Sequence, residues 1–272
     1  MKCVFLHDGV ADKTWNRRRN VKLAGVPLCL LILAALFAAV LPASARILST
    51  KPTPTETWNP LLPFTIGGGF EFETDKDQTE FDFPLLIEYN FTEQVKLTVE
   101  PTVVLIEPEH KGEHSADGFG DIETSVEWEF LRERRYRPAL TAEGIIKWRT
   151  ATDPDIGDPG NDYALGIIAS KDFIFVDSYL GLRYTSVGDP QDHDNFEVTV
   201  AGEWPLNRLF AIESESVTTV ETGYRGRTHV EGTLGLAWRV TKHLKLEIGG
   251  SLKSDGSWQL ISAWEWSFAG ED

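Results

Sequence analysis

Charged side chains recur at every second position in many segments of this sequence. The acidic members are Glu71, Glu73, Asp82, Glu88, Glu100, Glu123, Glu127, Glu129, Glu143, Glu197, Glu203, Glu213, Glu215, Glu231 and Glu247, and the basic members are Lys96, Lys147, Arg149, Arg183, Arg239, Lys245 and Lys253. Because residues two apart on a β-strand point the same way, each segment places its charges on one face. Carboxylates outnumber basic groups by about two to one, so a water-filled lumen lined by this face would favour cations. The same charges could instead pair across strands and fill the space.

The remaining polar clusters do not match a pattern for catalysis or metal binding. The run from 153 to 162 holds several carboxylates, but its spacing differs from that of an EF-hand loop. The histidines, including His110, His114 and His193, lack the spacing of a zinc site. Asp192 and Asp194 flank His193, but such a pair is a general base only where the geometry activates a water. The sequence therefore predicts no catalytic residue, no metal site and no cofactor.

The charged faces belong to segments in which apolar and polar residues alternate. In one of them Phe81, Phe83 and Leu85 share one face, and Asp82 and Glu88 share the other. We count about twelve such segments, and none has a helical period of 3.6 residues. They lie at about 64–74, 79–91, 95–106, 119–131, 139–149, 162–171, 174–186, 195–204, 209–222, 228–240, 244–254 and 257–268. The predicted fold class is therefore all-β.

Tight turns and longer polar loops alternate between these segments. The turns lie at 92–94, 171–173, 205–208 and 241–243, and the loops at 107–118, 150–161 and 187–194. Short turns on one rim and long loops on the other are typical of an outer-membrane β-barrel. The segments are also close to the ~9–11 residues that a strand needs to cross a bilayer. We predict a transmembrane antiparallel β-barrel of about 12 strands, with both termini in the periplasm.

Aromatic residues lie on the apolar face near the predicted membrane interfaces, as the aromatic girdles of such barrels do. They are Trp128, Trp148, Trp204, Trp238, Trp258, Trp264, Trp266 and Phe268. The alternation of Trp264, Trp266 and Phe268 resembles the C-terminal signal that the barrel assembly machinery reads. We therefore expect that machinery as a partner, together with outer-membrane lipid and lipopolysaccharide.

The N-terminal part of the sequence predicts export. Arg17, Arg18 and Arg19 precede an uncharged apolar run from 24 to 41, and Ala43-Ser44-Ala45 provides a cleavage site. We predict a signal peptide over 1–45, an extended periplasmic lead-in over 46–63, and the barrel over 64–272. An N-terminal membrane anchor is the alternative, since the run reaches the lower limit for a spanning helix. Both cysteines fall within the leader, so no disulfide is expected.

The net charge of the full sequence, which is −16, argues against nucleic acid as a partner. Removal of the leader leaves 20 basic and 40 acidic side chains. Phosphate binding requires clustered Lys and Arg, which a chain of this composition does not favour.

A short motif resembles a known family. The segment Gly118-Phe119-Gly120-Asp121, with the strand after it, resembles the Gly-x-Gly-Asp segment of an outer-membrane transporter-like family. That family is named for the meta-pathway of phenol degradation. The stretches 138–140 and 157–173 also resemble the family's middle region. The resemblance implies a channel-like protein, associated in some members with uptake of aromatic or other hydrophobic carbon sources. The resemblance does not identify the substrate of this protein. In physical terms, Gly118 and Gly120 allow tight turns, and Asp121 can bond to nearby backbone.

These features predict passive uptake or binding of small solutes through an acidic lumen, without enzymatic chemistry. Two alternatives from other classes stay open. One is a structural or surface-interaction barrel that does not conduct, and the other is a secreted β-sandwich that binds carbohydrate through exposed Trp, since sandwich strands also alternate.

Overall fold

The computed structural model describes residues 63–75, 78–108, 115–154, 156–190, 192–223 and 226–268. The predicted signal peptide over 1–45, and the predicted lead-in apart from Pro63, lie outside the described residues. Among the described residues, no helix is long and apolar enough to cross a membrane.

The alternating segments form fourteen strands of one antiparallel sheet. They are β1 (Phe64–Thr74), β2 (Gln78–Thr92), β3 (Val95–Glu100), β4 (Thr102–Pro108), β5 (Ala116–Phe119), β6 (Ile122–Leu131), β7 (Ala139–Trp148), β8 (Asp162–Asp172), β9 (Asp177–Ser186), β10 (Asn195–Pro205), β11 (Phe210–Glu221), β12 (Thr228–Arg239), β13 (Leu244–Lys253) and β14 (Trp258–Phe268).

The sheet closes on itself because β1 pairs with both β2 and β14. The closing register runs from Phe64 opposite Phe268 to Thr74 opposite Trp258. Rings meet across this seam, with centroids 5.6 Å apart for Phe64 and Phe268. The β-sandwich alternative is wrong, since the described strands form one closed sheet. The prediction of an antiparallel barrel is confirmed.

Two of the twelve barrel strands are interrupted, which explains why fourteen strands make a twelve-stranded barrel. Pro101 separates β3 from β4, since proline has no N–H to donate to the ladder. Its carbonyl still accepts the N–H of Leu85 at 2.9 Å. Gly120 and Asp121 separate β5 from β6, and the Gly120 N–H donates to the Thr102 carbonyl at 2.9 Å. The two interruptions are therefore neighbours in the sheet.

The turn between β8 and β9 lies further along the chain than the sequence predicts. The sequence predicts a turn at 171–173 and a strand over 174–186, but β9 begins at Asp177. Ile174 has a φ of 74°, and its N–H donates to the Asp172 carboxylate at 2.6 Å. The Asp172 side chain thus stabilises a local turn that hydrophobicity alone does not reveal.

Side chains alternate between the two faces of the barrel wall. On β12, Leu234, Leu236 and Trp238 are exposed on the outer face, whereas Ala237 is buried inside. Within the part of the chain that the structure describes, no second layer covers the outer face, and its apolar side chains are exposed. Polar and small residues occupy the inner face, which is where the charged residues meet.

Candidate functional site

The candidate site is the interior of the barrel, where charged side chains from many strands converge. We call the rim where β1 begins and β14 ends the terminal rim, and the opposite one the distal rim. Close to the terminal rim, a set of charged side chains is almost completely inaccessible to solvent. We call this set the basal belt; its members are Glu88, Lys96, Glu127, Glu203, Glu213 and Glu247. The partly exposed Lys245, with 21% of its side chain accessible, contacts two of them.

Lys96 on β3 is the best-defined centre of the basal belt. Its side chain is 1% exposed, and its Nζ lies 3.1 Å from a carboxylate oxygen of Glu88 and 3.1 Å from one of Glu127. Glu127 is its register partner on β6, and Glu88 comes from β2 on the other side. One buried ammonium thus joins three adjacent strands.

Lys245 on β13 forms a second centre, whose lysine side chain is 21% exposed. Its Nζ lies 2.6 Å from Glu247 and 3.3 Å from Glu213, whose side chain is fully buried. Next to it, Arg239 donates to Glu203 at 3.0 Å. These contacts tie β10, β11, β12 and β13 together inside the wall. Buried charges are tolerated where they are paired in this way.

The interior beyond the basal belt, toward the distal rim, holds both buried and partly exposed polar side chains. We call this part the distal lumen. Arg183 donates to Glu143 at 3.0 Å and lies 3.6 Å from Glu197, and its side chain is 21% exposed. Lys253, with 27% of its side chain exposed, pairs with Glu73, and Gln259 donates to Glu71 at 2.8 Å.

A small cavity lies between the two zones. It measures about 10 Å³, close to the space that one water molecule needs. Its lining includes Glu123, Glu127, Glu143 and Arg183. Charged groups therefore surround this cavity.

The structure brings most of the sequence-predicted charged residues together in this interior. Glu129, Glu143, Glu215 and Glu231 are buried, and Glu71, Glu73, Asp82, Glu100, Glu123, Lys147, Arg183 and Glu197 are partly exposed. Arg149 is the exception: it lies one residue beyond β7 and is exposed, because the strand ends at Trp148.

Two interior carboxylates were missed at the sequence level. Glu265 lies opposite Gly67 on β1 and Lys245 on β13, and Glu80 lies opposite Glu73. The period of two would have found both, since Glu265 alternates with outward Trp264 and Trp266. The prediction for that strand was based on its outward aromatic residues and did not include its inward positions.

The aromatic residues predicted to form girdles lie on the outer surface of the barrel. Each of them is exposed: Trp128, Trp148, Trp204, Trp238, Trp258, Trp264, Trp266 and Phe268. Many large aliphatic side chains, including Leu234 and Leu252, are exposed on the same surface. Extensive exposed apolar surface is typical of proteins that contact lipid or another apolar partner.

The Gly-x-Gly-Asp motif organises the loop that follows β7. The Asp121 carboxylate accepts the N–H groups of Thr150 and Ala151, at 2.8 and 2.9 Å, and that of Asp158 at 2.8 Å. Gly118 lies within β5 and not at the predicted tight turn, and a Cβ there would clash with the Thr152 hydroxyl, so the loop packs directly on the motif. A Cβ on Gly120 would lie 3.1 Å from Val104.

Other loop carboxylates also bond within the protein. Asp158 pairs with Lys147, and Asp162 accepts the Gly188 N–H at 2.8 Å. Asp194 accepts the Tyr184 hydroxyl at 2.5 Å and the Val187 N–H at 3.0 Å, and these bonds lower the pKa of its carboxyl. The described residues contain no group of three or more His, Cys, Asp and Glu positioned to hold a metal ion.

Solved outer-membrane β-barrels share this fold. A channel from Pseudomonas putida F1 superposes with a TM-score of 0.64 at 11% identity, over 80% of this chain and 100% of the channel. The NanC porin gives 0.56 at 10% identity, over 75% of this chain and 100% of the porin. The KdgM porin in complex with disordered oligogalacturonate gives 0.54 at 12% identity, over 74% and 99%. No protein-family model matches the sequence, and no curated protein matches it.

Proposed function

We propose that this chain is an outer-membrane channel for passive entry of small hydrophilic solutes, with a preference for cations. The observation that carries the proposal is the interior of the barrel, where carboxylates exceed basic groups. Rings of acidic side chains along a lumen attract cations and repel anions. The porins and the channel of the same fold support a transport role. The solutes of those proteins are not inferred for this chain.

The chemistry of the wall favours polar solutes over aromatic ones. The resemblance to the phenol meta-pathway family suggests uptake of aromatic or hydrophobic compounds. An apolar ring gains free energy on leaving water only where it meets apolar surface. The inward charges described above offer ion pairs and carboxylates instead, with Lys96, Arg183, Lys245 and Lys253 each held by glutamates. A small cation matches this wall better than a hydrocarbon does.

The proposed location is the outer membrane of a Gram-negative bacterium, after cleavage near Ala45. The apolar outer surface with its aromatic residues supports contact with outer-membrane lipid and lipopolysaccharide. Assembly through the barrel assembly machinery is part of the same proposal. The distal rim, with the longer loops, would then face the outside of the cell.

Ion selectivity in planar bilayers tests the proposal. Under a salt gradient, the combined variant Glu123→Gln, Glu127→Gln, Glu129→Gln should shift the reversal potential toward zero. A matched control neutralises three turn residues at the terminal rim, with Glu93→Gln, Glu133→Gln and Asp172→Asn, and should keep the wild-type reversal potential. An interior variant indistinguishable from wild type would refute an acidic conducting lumen.

One observation favours a second candidate, a structural barrel that does not conduct. The basal belt is nearly inaccessible, with Lys96 at 1% and Glu213 at 0% exposure. Side chains that fill a barrel in this way can serve stability alone. Wild-type protein that is folded and inserted but carries no current would support this candidate.

A further inference from the structure

Neighbouring turns at the terminal rim expose large apolar side chains. The turn after β8 presents Phe173, Ile174 and Phe175, and Ile174 is 95% exposed. The turn after β6 presents Tyr136, which is 85% exposed, and the turn after β10 presents Leu206. Such side chains gain free energy when they leave water. These turns therefore carry apolar surface that the described part of the chain leaves uncovered.

The backbone of Ile174 holds this side chain at the tip of its turn. Its φ of 74° lies in the left-handed region, which a β-branched residue rarely adopts. The Asp172 carboxylate accepts the Ile174 N–H at 2.6 Å, and the Phe173 N–H donates to the Val176 carbonyl at 3.0 Å. Local bonds thus maintain an unfavourable conformation that presents an isoleucine outward. Strained residues of this kind are concentrated at functional positions.

Basic side chains lie beside the apolar ones. The turn after β6 holds Arg132, Arg134, Arg135 and Arg137. Arg134 and Arg135 are exposed, and the Arg135 guanidinium lies 5.1 Å from the centre of the Tyr136 ring. Among the described residues, no carboxylate forms an ion pair with Arg134 or Arg135. This turn therefore offers positive charge to an external anion, although the chain as a whole is strongly acidic.

The turns after β6 and β8 are bonded to each other. Glu133 of the first turn pairs with Lys171 at the end of β8, and it also accepts the Asp172 N–H at 3.3 Å. The Lys171 ammonium in turn lies 5.7 Å from the centre of the Phe173 ring. The basic and apolar side chains are therefore held next to one another as a single surface. We call this surface the rim patch; its members are Arg134, Arg135, Tyr136, Phe173, Ile174 and Phe175.

The rim patch continues the apolar outer wall of the barrel. Leu165 and Ile167 are exposed on the outer face of β8, and Phe173 follows them in the same alternation. Glu203 lies opposite Asp177 in the register, which brings the next residue, Trp204, level with the end of the turn. Trp and Tyr rings of this kind lie where acyl chains meet headgroups. The rim patch is therefore at the depth of the lipid headgroups.

We propose that the rim patch binds anionic phospholipid in the periplasmic leaflet of the outer membrane. Ile174, Phe175 and Tyr136 insert among the acyl chains, and Arg134 and Arg135 bind the phosphate groups. A basic side chain near an anionic lipid surface strengthens binding by about fivefold, so the patch favours phosphatidylglycerol over a zwitterionic lipid. The proposal rests on the proposed outer-membrane location, and it is independent of conductance.

Fluorescence quenching locates the apolar tip. Because both cysteines lie in the predicted leader, the mature chain provides a cysteine-free background. Ile174→Cys carries an environment-sensitive fluorophore in barrels reconstituted into vesicles of phosphatidylethanolamine and phosphatidylglycerol. Leu234→Cys in the outer wall provides a probe exposed to lipid, and Asp192→Cys in the loop after β9 provides one exposed to water.

We expect spin-labelled phospholipids to quench the probes at 174 and 234, and iodide on both sides of the membrane to quench the probe at 192. A probe at 174 that iodide quenches as strongly as the probe at 192 would overturn the proposal. That result would mean that the patch faces water and serves a soluble partner instead of lipid.

Native mass spectrometry of the folded barrel in detergent tests the choice of headgroup. Phosphatidylglycerol and phosphatidylcholine with identical acyl chains are titrated separately. The double variant Arg134→Gln, Arg135→Gln should weaken phosphatidylglycerol binding by about 25-fold, fivefold for each charge, and leave phosphatidylcholine binding unchanged. Arg134→Lys, Arg135→Lys keeps the charge and should retain most of the preference, which separates loss of charge from loss of structure.

The matched control removes two exposed arginines from the distal rim, with Arg149→Gln and Arg227→Gln, and should bind phosphatidylglycerol as wild type does. A wild-type preference in the Arg134→Gln, Arg135→Gln variant, or an equal loss in the control, would overturn the proposal. Neither the quenching nor the mass measurement needs a current. A barrel that binds lipid in this way but does not conduct would refute the proposed function and leave the lipid site standing.

Discussion

Replacing Lys96 with methionine should destabilise the barrel strongly. Lys96 is the least exposed charged group of its centre, and it lies 3.1 Å from each of two buried carboxylates. Hydrogen bonds to charged groups contribute about 1.5–3 kcal/mol each, so two of them suggest a loss of several kcal/mol. Removing one partner of a buried ion pair typically costs about 3–5 kcal/mol, because the remaining charge is uncompensated. We therefore expect the free energy of unfolding to fall by about 3–5 kcal/mol.

Urea unfolding of barrels in lipid vesicles, followed by Trp fluorescence, measures this change. The triple variant Lys96→Met, Glu88→Gln, Glu127→Gln should recover most of the lost stability, since it leaves no unpaired charge. Lys171→Met removes a more exposed ion pair at a turn and should cost about 1 kcal/mol or less. A Lys96→Met barrel within about 1 kcal/mol of wild type would refute the reasoning, because it would mean that water already solvates the Glu88 and Glu127 carboxylates.

Three further predictions concern the wall and the loops. Leu234→Arg, at the middle of β12, should lower the stability in bilayers by about 2–4 kcal/mol, whereas Leu252→Arg near the distal rim should lower it by about 1 kcal/mol or less; equal losses in urea titrations would contradict a lipid-facing wall. Asp121→Ala removes the acceptor of three loop N–H groups, so limited proteolysis should cut the 149–161 loop faster while the barrel stays intact; an unchanged cutting rate would count against this role. The hydrogen bonds to Asp194 lower the pKa of its carboxyl in the folded protein below its value in the unfolded chain, which is about 3.9. The stabilisation from these bonds is therefore fully present above that pH, and it is lost as the pH falls through the pKa of the folded protein. Amide exchange at Val187, corrected for intrinsic rates, should therefore accelerate on acidification in wild type but not in Asp194→Asn.

Most of the fold could be predicted from the sequence, because the alternation of residues in a barrel wall is a local pattern. A strand between lipid and an interior must alternate with a period of two, and segments such as 228–240 follow this rule residue by residue. The rule fails where local polar bonds decide the backbone instead. Asp172 sets a turn inside the apolar run 173–176, and Pro101 divides one strand into β3 and β4.

The arrangement of the site could be predicted only in part. Alternation indicates which charges face inward, but not which of them meet. Lys96 and Glu127 are neighbours because β3 pairs with β6, a pairing that skips β4 and β5. The degree of burial of each inward charge also depends on which strands lie beside it in the closed sheet, and alternation does not reveal this order.

The central claim is that the acidic interior conducts cations, and single-channel recording tests it most directly. The protein is refolded, inserted into a planar bilayer and recorded under a salt gradient, with folding checked independently on the same sample. The account predicts steady openings whose reversal potential has the sign of cation preference. Anion preference, or silence from barrels shown to be folded and inserted, would contradict it.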